Sequence, residues 1–343
     1  MEAFIRGLPK AELHVHLEGC LEPELLLEIA RRNAVSIRFR TVDELRRSYR
    51  FSDLQSFLDV YYEGTSALLT ERDFHDLTWA YLRRARQDNV RHTEVFFDPQ
   101  SHTRRGVPFE AVVTGIHRAL EAGCRQYGMT AGLIMCFLRH LSEAQALEAL
   151  EQALPFKSWI VGIGLDSAEA GNPPARFAGV FARARTAGFR AVAHAGEEGP
   201  PEYVRQALDL LGAERIDHGV RAAEDPALMQ RLARERVPLT VCPLSNVRLG
   251  VFPSMEAHNL KRLLDAGAMV TINSDDPAYF GGYLADNYLA AQRALGLNRA
   301  DLARLAANAF EASFIAETER HVLLRELRDY AATSPEARNE NRR

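Results

Sequence analysis

Two histidines two residues apart, His14 and His16, share one face of any extended segment, because strand side chains alternate with a period of two. His194 in Ala-His-Ala-Gly-Glu-Glu, His218 in Arg-Ile-Asp-His-Gly, and Asp275 and Asp276 in Ile-Asn-Ser-Asp-Asp-Pro add imidazoles and carboxylates further along. Imidazoles joined by a carboxylate are a donor set for a divalent transition metal, zinc above all, with iron and manganese also admitted. Glu197 follows His194 by three residues, beyond a glycine that lets the chain turn sharply. A carboxyl there, with His218 as an extra imidazole, supplies an acid and a base around a water that zinc would make acidic enough to ionise near neutrality. Such a site suits hydrolytic attack on an electron-poor sp² carbon whose leaving group needs a proton.

These residues work together only if the fold brings them together. Eight short, nearly continuous apolar runs are predicted strands: 13–17, 93–97, 130–137, 160–165, 191–195, 215–219, 239–243 and 269–273. Helical patterns alternate with them, such as 22–32, 109–127, 175–187, 202–211 and 257–266, with glycines where helices should stop. Eight β-then-α units predict a TIM (β/α)8 barrel, a doubly wound sheet being the second choice. The 41–87 interval is too long for one crossover and predicts extra helices after the first strand, able to lie over the barrel mouth. A further helical tail is expected to about 332, giving one domain over 1–332 and a frayed polar tail over 333–343.

In such a barrel His14, His16, His194, His218 and Asp275 fall at the strand ends that form the C-terminal face, where active sites are built. A lone strand histidine is ordinarily a packed core or rim residue, and Asp-Asp-Pro alone is turn chemistry. Their convergence is what separates them from that reading. His75, His92, His102, His117, His140, His258 and His321 share no such placement and read as surface or packing residues, as the Arg-Arg pairs read as solvated faces.

Composition sets the outer limits. The 343 residues carry a net charge of −4, with 47 % hydrophobic and 26 % charged residues, which excludes a disordered chain and a strongly basic nucleic-acid binder. Four scattered cysteines form no CxxC pair, so a disulfide framework and a Cys-rich metal site are not expected. With no apolar span long enough for a membrane, the expectation is a cytoplasmic protein with a small-molecule partner, no nucleic acid and no membrane contact. Oligomeric state has no signature in the sequence.

The H-x-E with P-C-x-x-C pattern of one class of zinc deaminases is absent, so any deaminase here has a different architecture. His-Val-His at 14–16, His-Ala-Gly-Glu at 194–197, Asp-His-Gly at 217–219 and Ser-Asp-Asp-Pro at 274–277 resemble the adenosine/adenine deaminase family of metal-dependent hydrolases over nearly the whole chain. Longer strings are similar to its adenine deaminases: Phe51-Ser-Asp-Leu-Gln-Ser-Phe-Leu, Phe96-Phe-Asp-Pro-Gln, Val241-Cys-Pro-Leu-Ser-Asn-Val and Asn273-Ser-Asp-Asp-Pro-Ala-Tyr-Phe-Gly-Gly-Tyr.

The resemblance implies one Zn2+ per subunit on His14, His16, His194 and Asp275. It implies catalysis by Glu197, protonating purine N1, and by His218, orienting hydroxide and stabilising charge on the C6 oxygen. Asp276 would hold N7, which requires the N7–H tautomer or a protonated Asp276. The reaction implied is hydrolysis of adenine to hypoxanthine and ammonia in purine salvage. The alternative is another 6-aminopurine: an N6-substituted adenine, adenosine or a larger adenine nucleoside. Glu18 stands where adenosine deaminases carry an Asp that serves the ribose, a change that fits a free base. Ser167 and Glu169, in the loop 164–171, are candidates for reading the N3/N9 edge, with an ordinary polar loop as the competing reading. Cys20 replaces an expected Ser, and Ala168 and Ala170 replace bulkier residues, changes able to widen the pocket. Two other readings remain open: a non-catalytic purine-binding barrel, and an esterase or amidase on the same scaffold.

Overall fold

The computed structural model describes residues 1–333, so the polar tail from Ser334 onward lies outside the described residues. All eight predicted strands form: β1 (Lys10–His16), β2 (Val90–Phe97), β3 (Thr130–Leu138), β4 (Gly162–Asp166), β5 (Arg190–Ala195), β6 (Arg215–His218), β7 (Pro238–Val241) and β8 (Met269–Ile272). Each pairs in parallel with the next, in sequence order. The ring closes through a parallel bridge between Val15 and Asp275 and a 2.8 Å bond from the Leu13 N–H to Asn273 Oδ1. This is the TIM barrel, and its strands are buried on both faces, which is why they read as continuous apolar runs.

The 41–87 interval folds as three helices, α1 (Val42–Ser48), α2 (Leu54–Thr65) and α3 (Glu71–Gln87). Asp53 caps α2 in a reciprocal box with Ser56, which fixes where the helix starts. The apolar face of α2 (Leu54, Phe57, Leu58, Tyr61, Tyr62) roofs the pocket at the C-terminal end of the barrel. Helix α3 lies against α4 (Phe109–Tyr127) at Gly115, where a Cβ would stand 2.3 Å from the Glu71 carbonyl oxygen. The C-terminal helices α5 (Arg299–Ala312) and α6 (Glu317–Thr333) complete the outer layer, and Asn308 donates to the Val270 carbonyl at 2.8 Å.

Two predicted helices differ in detail. The 175–187 pattern opens with a 3-10 turn, Pro174–Phe177, because two successive prolines set the chain direction there. The 257–266 pattern shortens to Leu260–Asp265, since His258 turns inward and its Nδ1 accepts the Leu260 N–H. Among the described residues, no helix is long and apolar enough to cross a membrane.

Candidate active site

The chain turns abruptly as it leaves the barrel strands. Ser167, His218 and Asp275, all at strand ends, hold left-handed backbone angles with φ of +72°, +63° and +64°. A non-glycine residue there costs about 1–3 kcal/mol and is kept where the surroundings over-determine it. The turn at each strand end is what aims these side chains over the barrel mouth.

Donor atoms of His14, His194, His218 and Asp275 lie within 4.8 Å of one another, and His16 joins them through Asp275 and His194. His14 Nε2 lies 3.2 Å and His16 Nε2 3.4 Å from Asp275 Oδ1, and His16 Nε2 lies 3.1 Å from His194 Nε2. His14 donates through Nδ1 to the Thr240 carbonyl at 3.0 Å, so its Nε2 carries a lone pair, and that buried atom has no hydrogen-bond partner. A lone pair aimed at a carboxylate oxygen, both out of water, is repulsive unless a cation sits between them, either a proton, which Asp275 favours by raising His14, or a metal in its place. Burial holds His16 down at about 4 and lowers His194, leaving both neutral and able to bind a cation. Burial alone would lower His14 and raise Asp275, but the pair favours its charged form: Asp275 raises His14, and His14 in turn holds Asp275 well below the usual carboxylate range. The donor set therefore fits a divalent metal. Behind it, Asp217 faces His194 Nδ1 at 3.5 Å and accepts from the Thr240 hydroxyl at 2.8 Å, the outer partner such a ligand needs.

His218 Nε2 stands 3.5 Å from Glu197 Oε2 and 3.8 Å from Asp275 Oδ2. Its tautomer is set by a chain of bonds from outside the barrel. The Leu260 N–H is taken by His258 Nδ1, so His258 donates from Nε2 to Asn246 Oδ1 at 3.2 Å. Asn246 Nδ2 then donates to His218 Nδ1 at 3.2 Å, which leaves the proton of His218 on Nε2, pointing into the site. Burial keeps His258 at about 4, neutral as this chain requires. His258 is thus a packing residue with a consequence at the site.

Glu197 and Asp276 are both buried, and burial followed by the neighbouring Asp275 pushes each carboxyl well above its ordinary range. Both are thereby biased toward their protonated forms. Gly19, one residue after Glu18, is what lets Asp276 sit here: a Cβ at position 19 would meet Asp276 Oδ1 at 2.1 Å.

Glu169 does not face the pocket. Its carboxylate accepts the main-chain N–H groups of Gly196, Glu197, Glu198 and Gly199 at 2.7–3.0 Å, so it clamps the loop that carries Glu197. Ser167 does line the pocket, bonded to Tyr62 at 3.0 Å and to His140 at 2.9 Å. Glu18 is buried behind the wall, accepting from His102 Nε2 at 2.9 Å and from the Asp98 N–H at 3.1 Å. Cys20, Ala168 and Ala170 do not line the pocket, so the expected widening does not arise from them. Two lining carboxyls, Asp98 and Asp166, have no counterpart among the site residues that sequence reasoning selected.

Residues 9–330 match the adenosine deaminase family model. The chain belongs to the adenosine deaminase family. Within and around that family, it is 58 % identical to the adenine deaminase of Acinetobacter baylyi, over 94 % of this chain and 98 % of that one. The crystal structure of adenine deaminase from Arthrobacter aurescens superimposes with a TM-score of 0.94 at 49 % identity, covering 95 % of this chain and 100 % of that one. An amidohydrolase from Burkholderia ambifaria with bound Zn gives a TM-score of 0.89 at 28 % identity, over 97 % and 94 % of the two chains.

Proposed function

We propose that this adenosine deaminase family enzyme hydrolyses adenine to hypoxanthine and ammonia, with one zinc ion held by His14, His16, His194 and Asp275, as a step of purine salvage. The observation that carries this reading is the meeting of those four donors beside a buried Glu197 whose carboxyl is pushed upward, in a chain similar to adenine deaminases over nearly its full length. Zinc is the metal bound in the Burkholderia ambifaria relative, and the three imidazoles and one carboxylate suit it. Four cysteines without a disulfide fit a cytoplasmic enzyme.

When bound, the ion would supply Lewis acidity and lower the pKa of a water molecule towards neutrality. The chain's own groups do the rest. Glu197 gives its proton to N1, which drains electron density from C6. Asp276, biased toward its protonated form by burial and by Asp275, would donate to N7 and draw from the same ring. His218 turns its Nε2–H toward the oxygen arriving at C6 and stabilises the charge that gathers there. Of the two protons of water, one restores Glu197 and one departs with the amine as ammonia. Helix α2 covers the pocket with Phe57, Tyr61 and Tyr62 and keeps bulk water away from these transfers.

Zinc-loaded protein mixed separately with adenine, adenosine and N6-methyladenine tests the assignment by ammonia or methylamine release. Adenine is expected to be turned over fastest. No release from adenine, with release from adenosine, would overturn the substrate.

A further inference from the structure

The wall of the pocket opposite His218 holds a carboxyl that no step above uses. In a closed ring of eight strands, the end of β2 faces the end of β6, so Asp98, immediately after β2, stands across the pocket from His218. Asp98 is 3 % exposed; its Oδ2 receives only a long 3.4 Å bond from the Tyr61 hydroxyl, and its Oδ1 has no partner. Asp166 beside it is 2 % exposed, its Oδ2 facing His16 Nδ1 at 3.6 Å and its carboxyl facing that of Asp98. Burial raises both carboxyls and they face each other, so a proton shared between them serves at most one of the four oxygens; the others still lack a close donor, which a ligand N–H would bring.

The ring geometry of adenine says which donor. N3 lies across the six-membered ring from C6, and N9 lies beside N3. With C6 at His218 and N1 at Glu197, the N3/N9 edge turns to the β2 wall. In the free base of the 9H form, N9 carries a hydrogen; in a nucleoside it carries a sugar carbon.

We propose that Asp98 accepts the N9–H of the purine and thereby selects the free base over 9-substituted purines. This rests on the assignment of adenine as substrate. Glu18 belongs to the same device at one remove: it binds the main-chain N–H of Asp98 and His102, and lies outside the pocket lining. Its substitution for Asp would act on substrate choice through the placement of Asp98. A substituent on N9 would meet both the Asp98 carboxyl and the ring of Tyr61.

The test compares wild type, Asp98→Ala and Asp98→Asn on adenine and 9-methyladenine, with zinc content measured on each protein. Wild type is expected to prefer adenine by at least about 10³-fold, as a site built around a ligand N–H should. Asp98→Ala is expected to lower kcat/KM for adenine about 100-fold, to bring the preference below about 10-fold, and to keep one zinc per chain. Asp98→Asn, which keeps the shape and one acceptor oxygen, is expected to fall between them and guards against a folding defect in the alanine variant. If both variants keep the wild-type rate and preference, Asp98 does not read the purine and the proposal fails. It fails equally if wild type carries two metal ions and Asp98→Ala one, because His16, Asp98 and Asp166, whose donor atoms lie within 4.8 Å of one another, would then hold a cation. A wild-type enzyme inactive on adenine but active on 9-substituted purines would overturn the substrate assignment itself, a distinct outcome.

Discussion

Asn246 donates its amide N–H to Nδ1 of His218 across 3.2 Å, and that bond decides which nitrogen of the imidazole offers a proton to the site. An aspartate at 246 can only accept, so it would draw the His218 proton onto Nδ1 and turn a lone pair inward. Asn246→Asp should therefore lower kcat by about 10²–10³, the effect of losing one donor to a developing oxyanion, with metal content unchanged. His258→Gln keeps an N–H for Asn246 and should retain more activity than His258→Leu. A 15N spectrum of His218 showing Nε2–H in wild type and Nδ1–H in Asn246→Asp would check the cause directly.

Glu169 acts on Glu197 through the backbone. Four N–H groups converge on one carboxylate, and a glutamine must turn its own NH2 toward some of them. Glu169→Gln should cut kcat about 100-fold through misplacement of the Glu197 loop, leaving zinc content intact. Its loss of stability should be about 1–3 kcal/mol, read by denaturant unfolding. Unchanged kcat would remove Glu169 from any positioning role.

Gly19 leaves no room for a side chain beside Asp276. Gly19→Ala should push Asp276 off N7 and cost about 2 kcal/mol in kcat/KM for adenine, roughly one hydrogen bond to a charged or strongly polar group. Steady-state kinetics on adenine and on 7-deazaadenine separate this from a general distortion, since the 7-deaza analogue has no N7 to lose.

Away from the site, Glu94 and Arg215 form a buried pair at 2.6 Å within the barrel. Burial would raise Glu94, but the Arg215 guanidinium and His92 hold it down at about 2, below its ordinary 4.5. Its folded-state value is depressed, so its contribution to stability is complete above about pH 4.5 and is lost as pH falls toward 2. Melting temperature should accordingly decline below about pH 4.5. Glu94→Gln should flatten that decline and lower stability by about 3–5 kcal/mol at pH 7, because Arg215 is left buried without its carboxylate.

The strands and the inner donors were legible in the sequence for one reason. A parallel strand buried on both faces is an unbroken apolar run, and a histidine or aspartate at its end stands out against that run, as His16, His194, His218 and Asp275 do. Asn246 and His258 were not legible as a pair, because they lie twelve positions apart across a mostly irregular stretch and neither residue type is unusual alone. Glu169 was legible as a functional candidate but with the wrong partner: its place in the loop 164–171 suggested the pocket, whereas the loop after β5 supplies four N–H groups that a carboxylate satisfies better than a purine edge would. Asp98 lay inside a recognised string, Phe-Phe-Asp-Pro-Gln, yet only the closure of the barrel shows that it faces His218.

The decisive experiment is ammonia release from adenine by wild type and by Glu197→Gln, with zinc measured in both. A proton donor at N1 predicts zinc bound equally by the two proteins and a fall in kcat of about 10²–10⁴ in the variant. Wild-type turnover by zinc-loaded Glu197→Gln would show that Glu197 does not protonate the ring.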